Sequence, residues 1–158
     1  LAWRQATQCK GIVQADCLRG QGHHSREQLM ILGIGTDLVQ ISRIAVALAR
    51  WGEKFASKIL AESELAQFRM NPNAAFLAKR FAAKEAVAKA LGTGMRLGVN
   101  FPQIAVVGKP GYRPKISMTG AAAERARSMG VVSSHLSISD EQEYALAFVV
   151  LEGLGGKS

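Results

Sequence analysis

The stretch FLAKRFAAKEAVAKALGTG, Phe76 to Gly94, is the segment around which the chain is organised. Alanine, leucine, lysine and glutamate dominate it and no proline interrupts it, so it predicts one helix that Gly92 ends. At about 100° per residue its charges spread around most of the helical wheel, whereas an ordinary surface helix keeps them on one side. Glu85 and Lys89 share their face with apolar residues. They form either a solvated ion pair worth about 0.3 kcal/mol or a pair that faces protein or a ligand.

A second informative segment precedes this helix. The apolar run Ile31 to Gly35 predicts a buried strand that ends at Thr36 and Asp37, and apolar residues at helical spacing follow from Leu38 to Leu48. Asp37 therefore has two interpretations. It is either the N-cap of the following helix, for which aspartate is a favoured residue, or a carboxylate presented at the end of a buried strand for a cation.

The rest of the chain reads as short helices and paired strands. Turn residues at 108–111 separate two strands, and polar residues alternate with apolar ones in a later pair, which predicts two hairpins, the second of them at the sheet centre. The predicted elements are helices at Glu62–Met70 and Gly120–Met129, strands at Gln103–Val107 and Pro114–Met118, and strands at His135–Ser139 and Tyr144–Val150.

Residues 1–29 differ from the remainder of the sequence. They show no sustained period, and they contain Cys9 and Cys17 together with His23 and His24, at spacings that match no standard zinc pattern. Met30 then opens an apolar run. We predict that residues 1–29 are a non-native or flexible extension and that residues 30–158 form the functional domain. Without the extension the domain has no cysteine, which favours a reducing compartment.

Composition and charge restrict the functional class. The chain has 158 residues, 48% of them hydrophobic and 20% charged, as expected for one soluble domain, and no apolar run reaches the 18 residues of a membrane span. The formal charge of +8 indicates an anionic partner: nucleic acid, an acidic protein or a phosphorylated small molecule. Few aromatic residues and no recognised motif speak against nucleic acid.

The candidate reactive residues are two carboxylates and two basic groups: Asp37, Glu85, Lys89 and His135. Two oxygen ligands together with a substrate diphosphate are a usual way of holding Mg²⁺, and Lys89 would then neutralise a phosphate oxygen. The sequence Gly92-Thr93-Gly94 suggests backbone N–H groups around a phosphate, but a glycine C-cap explains it equally well.

Three motifs resemble those of the bacterial holo-acyl-carrier-protein synthases, in the order and spacing of that family. ILGIGTDLVQISRI is similar to its N-terminal motif, FLAKRFAAKEAVAKALGTG to its second signature, and the strand from His135 to Ser139 to its third. The resemblance covers about residues 30–152. It implies the α+β fold of the 4′-phosphopantetheinyl transferases, in which a small antiparallel sheet packs with a long central helix and shorter helices.

The resemblance also implies a reaction. Enzymes of this family transfer 4′-phosphopantetheine from coenzyme A to a serine of apo-acyl carrier protein and release adenosine 3′,5′-bisphosphate. The expected protein is thus a cytoplasmic, magnesium-dependent (or manganese-dependent) transferase of fatty acid biosynthesis. It would form a homotrimer with active sites between subunits, and it would bind neither membrane nor nucleic acid.

The family motifs assign roles to residues of this chain. Asp37 and Glu85 match the metal ligands, and Lys89 matches the lysine near the diphosphate. The residues expected near coenzyme A are Arg80, Lys84, Lys89, Gly92, Thr93, Pro114 and His135, with 108–110 as a competing alignment for Pro114. The residues expected to dock the acidic carrier protein from the first helix are Arg43, Arg50 and Lys54.

Some assignments stay open at the level of sequence. The general base is expected to be Glu85 or a metal-bound water that it orients, with Asp37 as the alternative. Gln40 stands where many relatives have glutamate, and Asp140 where many have histidine. Both departures concern the surroundings of the site and not the reaction.

Overall fold

The structure, a computed structural model, describes residues 28–108 and 112–154. Its elements are, in chain order, β1 (Leu29–Gln40), α1 (Ile41–Trp51), α2 (Glu53–Ile59), α3 (Glu62–Met70), α4 (Ala74–Ala90), a 3-10 turn (Phe101–Gln103), β2 (Ile104–Val107), β3 (Lys115–Met118), α5 (Gly120–Ser128), β4 (Val131–Asp140) and β5 (Tyr144–Leu154). The predicted α+β class is confirmed. In these residues no helix has the length and apolar content needed to cross a membrane.

The main sheet is antiparallel and has the order β1-β5-β4 in the described part of the chain. Of the hairpin predicted at the sheet centre, only β5 is central, and β4 forms one edge of the sheet. The first predicted hairpin is also present, with β2 paired to β3 from Ile104–Met118 to Val107–Lys115. Its connecting residues 109–111 lie outside the described residues.

The core lies between one face of the main sheet and α4. Alternate residues of β5 are fully buried against that helix, among them Ala145, Ala147, Val149 and Leu151. Alanines fill most of the buried positions of α4, so the helix and the sheet can approach closely. The result is a thin, alanine-rich core with the long central helix in its middle.

Two predictions about the first third of the domain are wrong. The strand does not end at Asp37: β1 continues to Gln40, which is the N-cap residue of α1, so Asp37 does not cap that helix. The first helix was expected over Leu38 to Leu48 but begins at Ile41 and runs to Trp51. Gly52 separates it from α2, so Lys54, expected on the first helix, lies on α2. The pairing of β1 with β5 through Gln40–Tyr144 explains the longer strand.

Residues 1–27 lie outside the described residues, and with them Cys9, Cys17, His23 and His24. The strand β1 begins at Leu29, which pairs with Leu154, one residue before the predicted start of the domain. The assignment of residues 1–29 to an extension stays a prediction.

Candidate functional site

Two glycines bring β1 into direct contact with α4. A Cβ atom added to Gly33 would lie 2.0 Å from the Ala90 carbonyl oxygen, and one added to Gly35 would lie 1.9 Å from that of Ala86. The two glycines are two strand residues apart, about 6.7 Å, and the two alanines are four helix residues apart, about 6 Å. The two distances match, so both contacts form between a strand and a helix that run antiparallel. Asp37 is the next residue on the same face of β1, and it is therefore presented to α4.

Asp37 contacts the lysine that follows Glu85 by one turn. The Lys89 ammonium donates to Asp37 Oδ1 at 2.8 Å and to the Thr36 carbonyl oxygen at 2.9 Å. The Asp37 side chain is mostly buried, whereas that of Lys89 is 49% exposed. The ammonium is thus fixed at the surface by β1, and the predicted pairing of Lys89 with Glu85 is replaced by pairing with Asp37.

Glu85 lies close enough to Asp37 for the two charges to interact. Burial raises the pKa of the Glu85 carboxyl above its ordinary value, the Asp37 charge raises it further, and Lys89 opposes both effects. No residue that the structure describes forms a hydrogen bond with the Glu85 side chain. We call Asp37, Glu85 and Lys89 the acidic cluster, in which two carboxylates share one partly shielding cation.

The acidic cluster fits a hard divalent cation. It offers carboxylate oxygens from two elements whose spacing is fixed by the backbone, and the repulsion between Glu85 and Asp37 is the kind that a bound cation relieves. Among the described residues no group of three or more acidic, histidine or cysteine side chains is placed to hold a metal. Water and substrate oxygens would therefore complete the shell, which is the usual situation for Mg²⁺.

A cavity of about 500 Å³ opens beside the N-terminal half of α4. Two predicted coenzyme A residues, Arg80 and Pro114, both line it, with Phe76, Tyr112 and Val106 on the other walls. The Arg80 guanidinium lies over the Phe76 ring at 4.5 Å from its centroid. The cavity joins an apolar wall to a cation, which suits a flat heteroaromatic group that carries phosphate.

The structure contradicts the prediction that Lys84 contacts a ligand. Its side chain is fully buried, and its ammonium donates to Glu64 Oε2 at 2.6 Å and to the carbonyl oxygens of Ile59 and Phe101. All three N–H donors of the ammonium are therefore used inside the protein. Lys84 points into the core because Glu64 compensates its charge there, whereas Glu85, 100° further around the helix, lies nearer the surface.

The turn after α4 is a helix cap. Gly92 has a φ of +71°, and the N–H groups of Gly92, Thr93 and Gly94 all donate to helix carbonyl oxygens, of Lys89 in the first case and of Ala88 in the other two. Thr93 is nearly buried, and its hydroxyl donates to the Gly94 carbonyl oxygen. The turn consequently has no backbone donor left for a phosphate, so the C-cap explanation is the correct one.

His135 lies on the other face of the sheet. It is paired with Val150 across the strands, whereas Asp37 is paired with Ala147, one of the residues buried against α4. The Arg113 guanidinium donates to His135 Nδ1 at 2.6 Å, which places the ring proton on Nε2, and Nε2 donates to Glu152 at 2.7 Å. One chain therefore does not bring His135 and the acidic cluster to the same side of the sheet.

The predicted docking residues are at the surface, as expected. Arg43 and Arg50 are exposed on α1, and Lys54 is exposed on α2 beside Trp51, whose ring lies 4.8 Å from the Arg50 guanidinium carbon.

The two residues that depart from the family pattern are Gln40 and Asp140. The Gln40 side chain forms no capping hydrogen bond with α1, and the Asp140 carboxylate pairs with the Lys79 ammonium at 2.9 Å.

Sequence reasoning missed Glu64, Arg113 and Glu152. Glu62 and Glu64 both lie in the first turn of α3, where acidic residues are typical. The sequence therefore offered no reason to single out Glu64. Arg113 lies directly before Pro114 and could have been found as a cation beside a predicted ligand residue. Nothing in the sequence of β5 distinguishes Glu152 from a surface glutamate.

Comparison with known proteins gives the class. The sequence model of the 4′-phosphopantetheinyl transferase superfamily matches residues 33–149. The chain belongs to this superfamily, as its motifs predicted.

Similar proteins carry a more specific name. The chain is 54% identical over 123 residues to the holo-(acyl-carrier-protein) synthase of Halorhodospira halophila, a match that covers 77% of this chain and 98% of that protein. Among solved structures it is similar to the holo-(acyl-carrier-protein) synthase of Neisseria meningitidis, with 41% identity, a TM-score of 0.72 and coverage of 77% and 98%. The Bacillus anthracis synthase in complex with coenzyme A (3′,5′-ADP) gives 36% identity, a TM-score of 0.65 and coverage of 78% and 98%.

Proposed function

We propose that this protein is a holo-acyl-carrier-protein synthase of fatty acid biosynthesis. It transfers 4′-phosphopantetheine from coenzyme A to a serine of apo-acyl carrier protein and releases adenosine 3′,5′-bisphosphate. The observation that carries the proposal is the acidic cluster, in which Asp37 and Glu85 converge beside the ammonium of Lys89. The family match and the complex of the Bacillus anthracis synthase with coenzyme A (3′,5′-ADP) support the same reaction.

The residues of the acidic cluster have separate tasks in this reaction. The serine oxygen forms a bond to the β-phosphorus of coenzyme A while the bond from that phosphorus to the leaving nucleotide breaks. Mg²⁺ (or Mn²⁺), held by Asp37 and Glu85 when bound, supplies positive charge for the diphosphate. Lys89 is fixed by Asp37 at the surface and stabilises the charge that develops on the phosphate oxygens.

The serine proton needs an acceptor. Lys89 already occupies Asp37 Oδ1, whereas the Glu85 carboxylate is hydrogen-bonded to no described residue. We assign Glu85, or a water that it orients, as the acceptor of the proton from the attacking hydroxyl, and Asp37 as the residue that orients Lys89.

Coenzyme A lies in the cavity lined by Arg80 and Pro114. The Arg80 side chain is 16% exposed, and its guanidinium meets a phosphate group, while Pro114 and Tyr112 pack against the adenine. This use of the cavity agrees with the predicted roles of Arg80 and Pro114.

The active enzyme is a homotrimer, and its sites lie between subunits. The sheet face opposite α4 is exposed and apolar, with Ile34, Leu38, Leu146 and Phe148 each more than 40% accessible in one chain. An apolar face of this kind marks an interaction surface. His135 shares that face, so a neighbouring subunit packed there brings His135 to the acidic cluster of another chain.

The carrier protein docks on α1 and α2. Arg43, Arg50 and Lys54 are exposed there, and the net charge of +8 would speed encounter with an acidic partner. We place the reaction in the cytoplasm, where coenzyme A and the apo-acyl carrier protein are both available to the enzyme.

The test is a direct assay of the transfer. The protein is mixed with coenzyme A, Mg²⁺ and apo-acyl carrier protein, and mass spectrometry measures the addition of one phosphopantetheine group to the carrier. Asp37→Asn and Glu85→Gln should each lower the rate by about 10³-fold. Glu124→Gln, which changes an exposed carboxylate on α5, is the matched control and should keep the full rate. An unmodified carrier with the unaltered protein would refute the function.

A further inference from the structure

A buried carboxylate stands behind the cavity that the proposed function assigns to coenzyme A. Glu64, on α3, is fully buried and accepts three hydrogen bonds: from the N–H groups of Ala61 and Val106, both at 2.9 Å, and from Lys84 at 2.6 Å. It thereby joins α3, α4 and β2. We call Glu64 and Lys84 the buried pair.

The negative charge of Glu64 acts on two cations: on Lys84, its hydrogen-bonded partner in the buried pair, and on Arg80. Arg80 lies next to it, with Nε 3.4 Å from Glu64 Oε1, but this N–H is buried and has no hydrogen-bond partner. A buried donor without a partner costs about 1–3 kcal/mol. The guanidinium is attracted toward Glu64, yet its donors are not satisfied by any described residue.

The surroundings of Arg80 leave it one direction in which to find a partner. The Phe76 ring covers one face of the guanidinium, and Glu64 lies behind it. The remaining side is the cavity, whose lining also includes Val106, the residue whose N–H donates to the same Glu64 oxygen. Glu64 therefore fixes both a cation and a wall of one cavity.

We infer that Glu64 is a positioning residue for the donor substrate: it attracts Arg80 through Nε without accepting a hydrogen bond from it, and so holds the guanidinium with its outer N–H groups free for a phosphate. This inference rests on the proposed function, because it takes coenzyme A as the ligand of the cavity. Glu64 itself touches no substrate. Its effect should appear in the binding of coenzyme A and not in the transfer step or in carrier recognition.

The experiment uses Glu64→Gln combined with Lys84→Met, a double variant that removes both charges of the buried pair and leaves the net charge of the protein unchanged. Calorimetry should show a Kd for coenzyme A about tenfold weaker than that of the unaltered protein. The kcat at saturating coenzyme A and the KM for the carrier should stay within twofold. Val149→Ala, which weakens the core on the sheet side, is the control for general destabilisation and should leave all three constants unchanged.

The same pair of changes is then made in an Arg80→Met background. If Glu64 acts through Arg80, then Glu64→Gln with Lys84→Met should weaken the Kd for coenzyme A by less than a further twofold in this background. The reason is that the effects of interacting sites are not additive. A folded double variant with an unaltered Kd would overturn the inference, and so would a tenfold effect that persists without Arg80. An unaltered protein that fails to bind coenzyme A would instead contradict the proposed function.

Discussion

Lys84 and Glu85 are neighbours in sequence and belong to two different polar regions of α4. Lys84 points into the core, where the buried pair with Glu64 satisfies every donor of its ammonium. Glu85 points the other way, into the acidic cluster, where no described residue donates to it and the Asp37 charge raises its pKa. Each region has a lysine of α4 and a carboxylate from a neighbouring element, Glu64 in the buried pair and Asp37 in the acidic cluster.

The two regions differ in whether their charged groups have hydrogen-bond partners within the protein. A buried pair with complete hydrogen bonding holds the structure together, and removing one partner leaves an uncompensated charge. In the acidic cluster Asp37 accepts from Lys89, but Glu85 accepts from no described residue, and the repulsion between the two carboxylates is one that a ligand can relieve, as is common at functional sites. The composition of a charged cluster therefore says little about its role until its hydrogen bonds are known.

The largest expected effect concerns the buried pair. Glu64→Gln alone leaves two cations, Lys84 and Arg80, without their counter-charge, so it should lower the free energy of unfolding by about 5 kcal/mol, the upper end for a broken buried pair. Combining it with Lys84→Met should restore most of that loss. Denaturant unfolding measures both. A single variant as stable as the unaltered protein would show that the two regions do not differ in this way.

In the acidic cluster we expect activity and stability to move in opposite directions. Glu85→Gln should lower kcat/KM by about 10³-fold, or about 4 kcal/mol of transition-state free energy. The metal-free variant should nevertheless have a higher Tm at pH 7. Glu85 has a raised pKa in the folded state, so its stabilising contribution exists below its unfolded pKa and is lost as the pH rises through the folded value.

The pH dependence of the Tm tests whether Glu85 destabilises the metal-free protein at neutral pH. The difference in Tm between Glu85→Gln and the unaltered protein should grow as the pH rises from 4 to 7 in the absence of metal, and Mg²⁺ should reduce it. A Tm that falls in the variant at neutral pH would mean that Glu85 is held by bonds within the protein, like Glu64.

The close contact of β1 with α4 gives the third test. Gly35→Ala places a Cβ in the space of the Ala86 carbonyl oxygen and close to the Ala90 nitrogen. Both atoms belong to the helix backbone, so neither can be displaced without a large cost in free energy. We expect a loss of about 3 kcal/mol in the free energy of unfolding, at the upper end for overpacking. Gly33→Ala, opposite Ala90, should behave alike. Full stability in both variants would contradict the close approach on which the acidic cluster depends.

The smallest effect is expected at the surface. Arg43→Glu should raise the KM for the carrier protein about fivefold and leave the KM for coenzyme A unchanged, because it affects encounter with an acidic partner. The effect should shrink in 0.5 M salt, since exposed charges are screened. Glu124→Gln serves again as the control. Equal changes in both Michaelis constants would argue against docking on α1.

Much of this molecule could be predicted because its local signals agree with its fold. The central helix, its glycine stop and both hairpins follow from composition, period and turn residues. The C-terminal strands in particular show polar and apolar residues in alternation. The family motifs add Asp37, Glu85 and Lys89, which the structure brings together.

The failures come from contacts between distant segments. The strand β1 runs past Asp37 to Gln40 because β5 supplies hydrogen bonds, and no residue between them signals the continuation. Lys84 is buried because Glu64 on another helix compensates its charge, and a lysine is otherwise rarely buried. The direction in which one residue of an alanine-rich helix points is decided by its partners and cannot be read from the helix alone.

The contact between the two glycines of β1 and the carbonyls of α4 has a consequence for engineering. No side chain separates the two backbones there, so the spacing between Asp37 and Glu85 does not depend on which apolar residues fill the core. Redesign of the apolar side chains of the core can therefore leave the distance between the two acids to the main chain. The two glycines of β1 have to be kept for this spacing, and Gly153 of β5 has to be kept because an added Cβ would lie 2.3 Å from the Gly130 carbonyl oxygen.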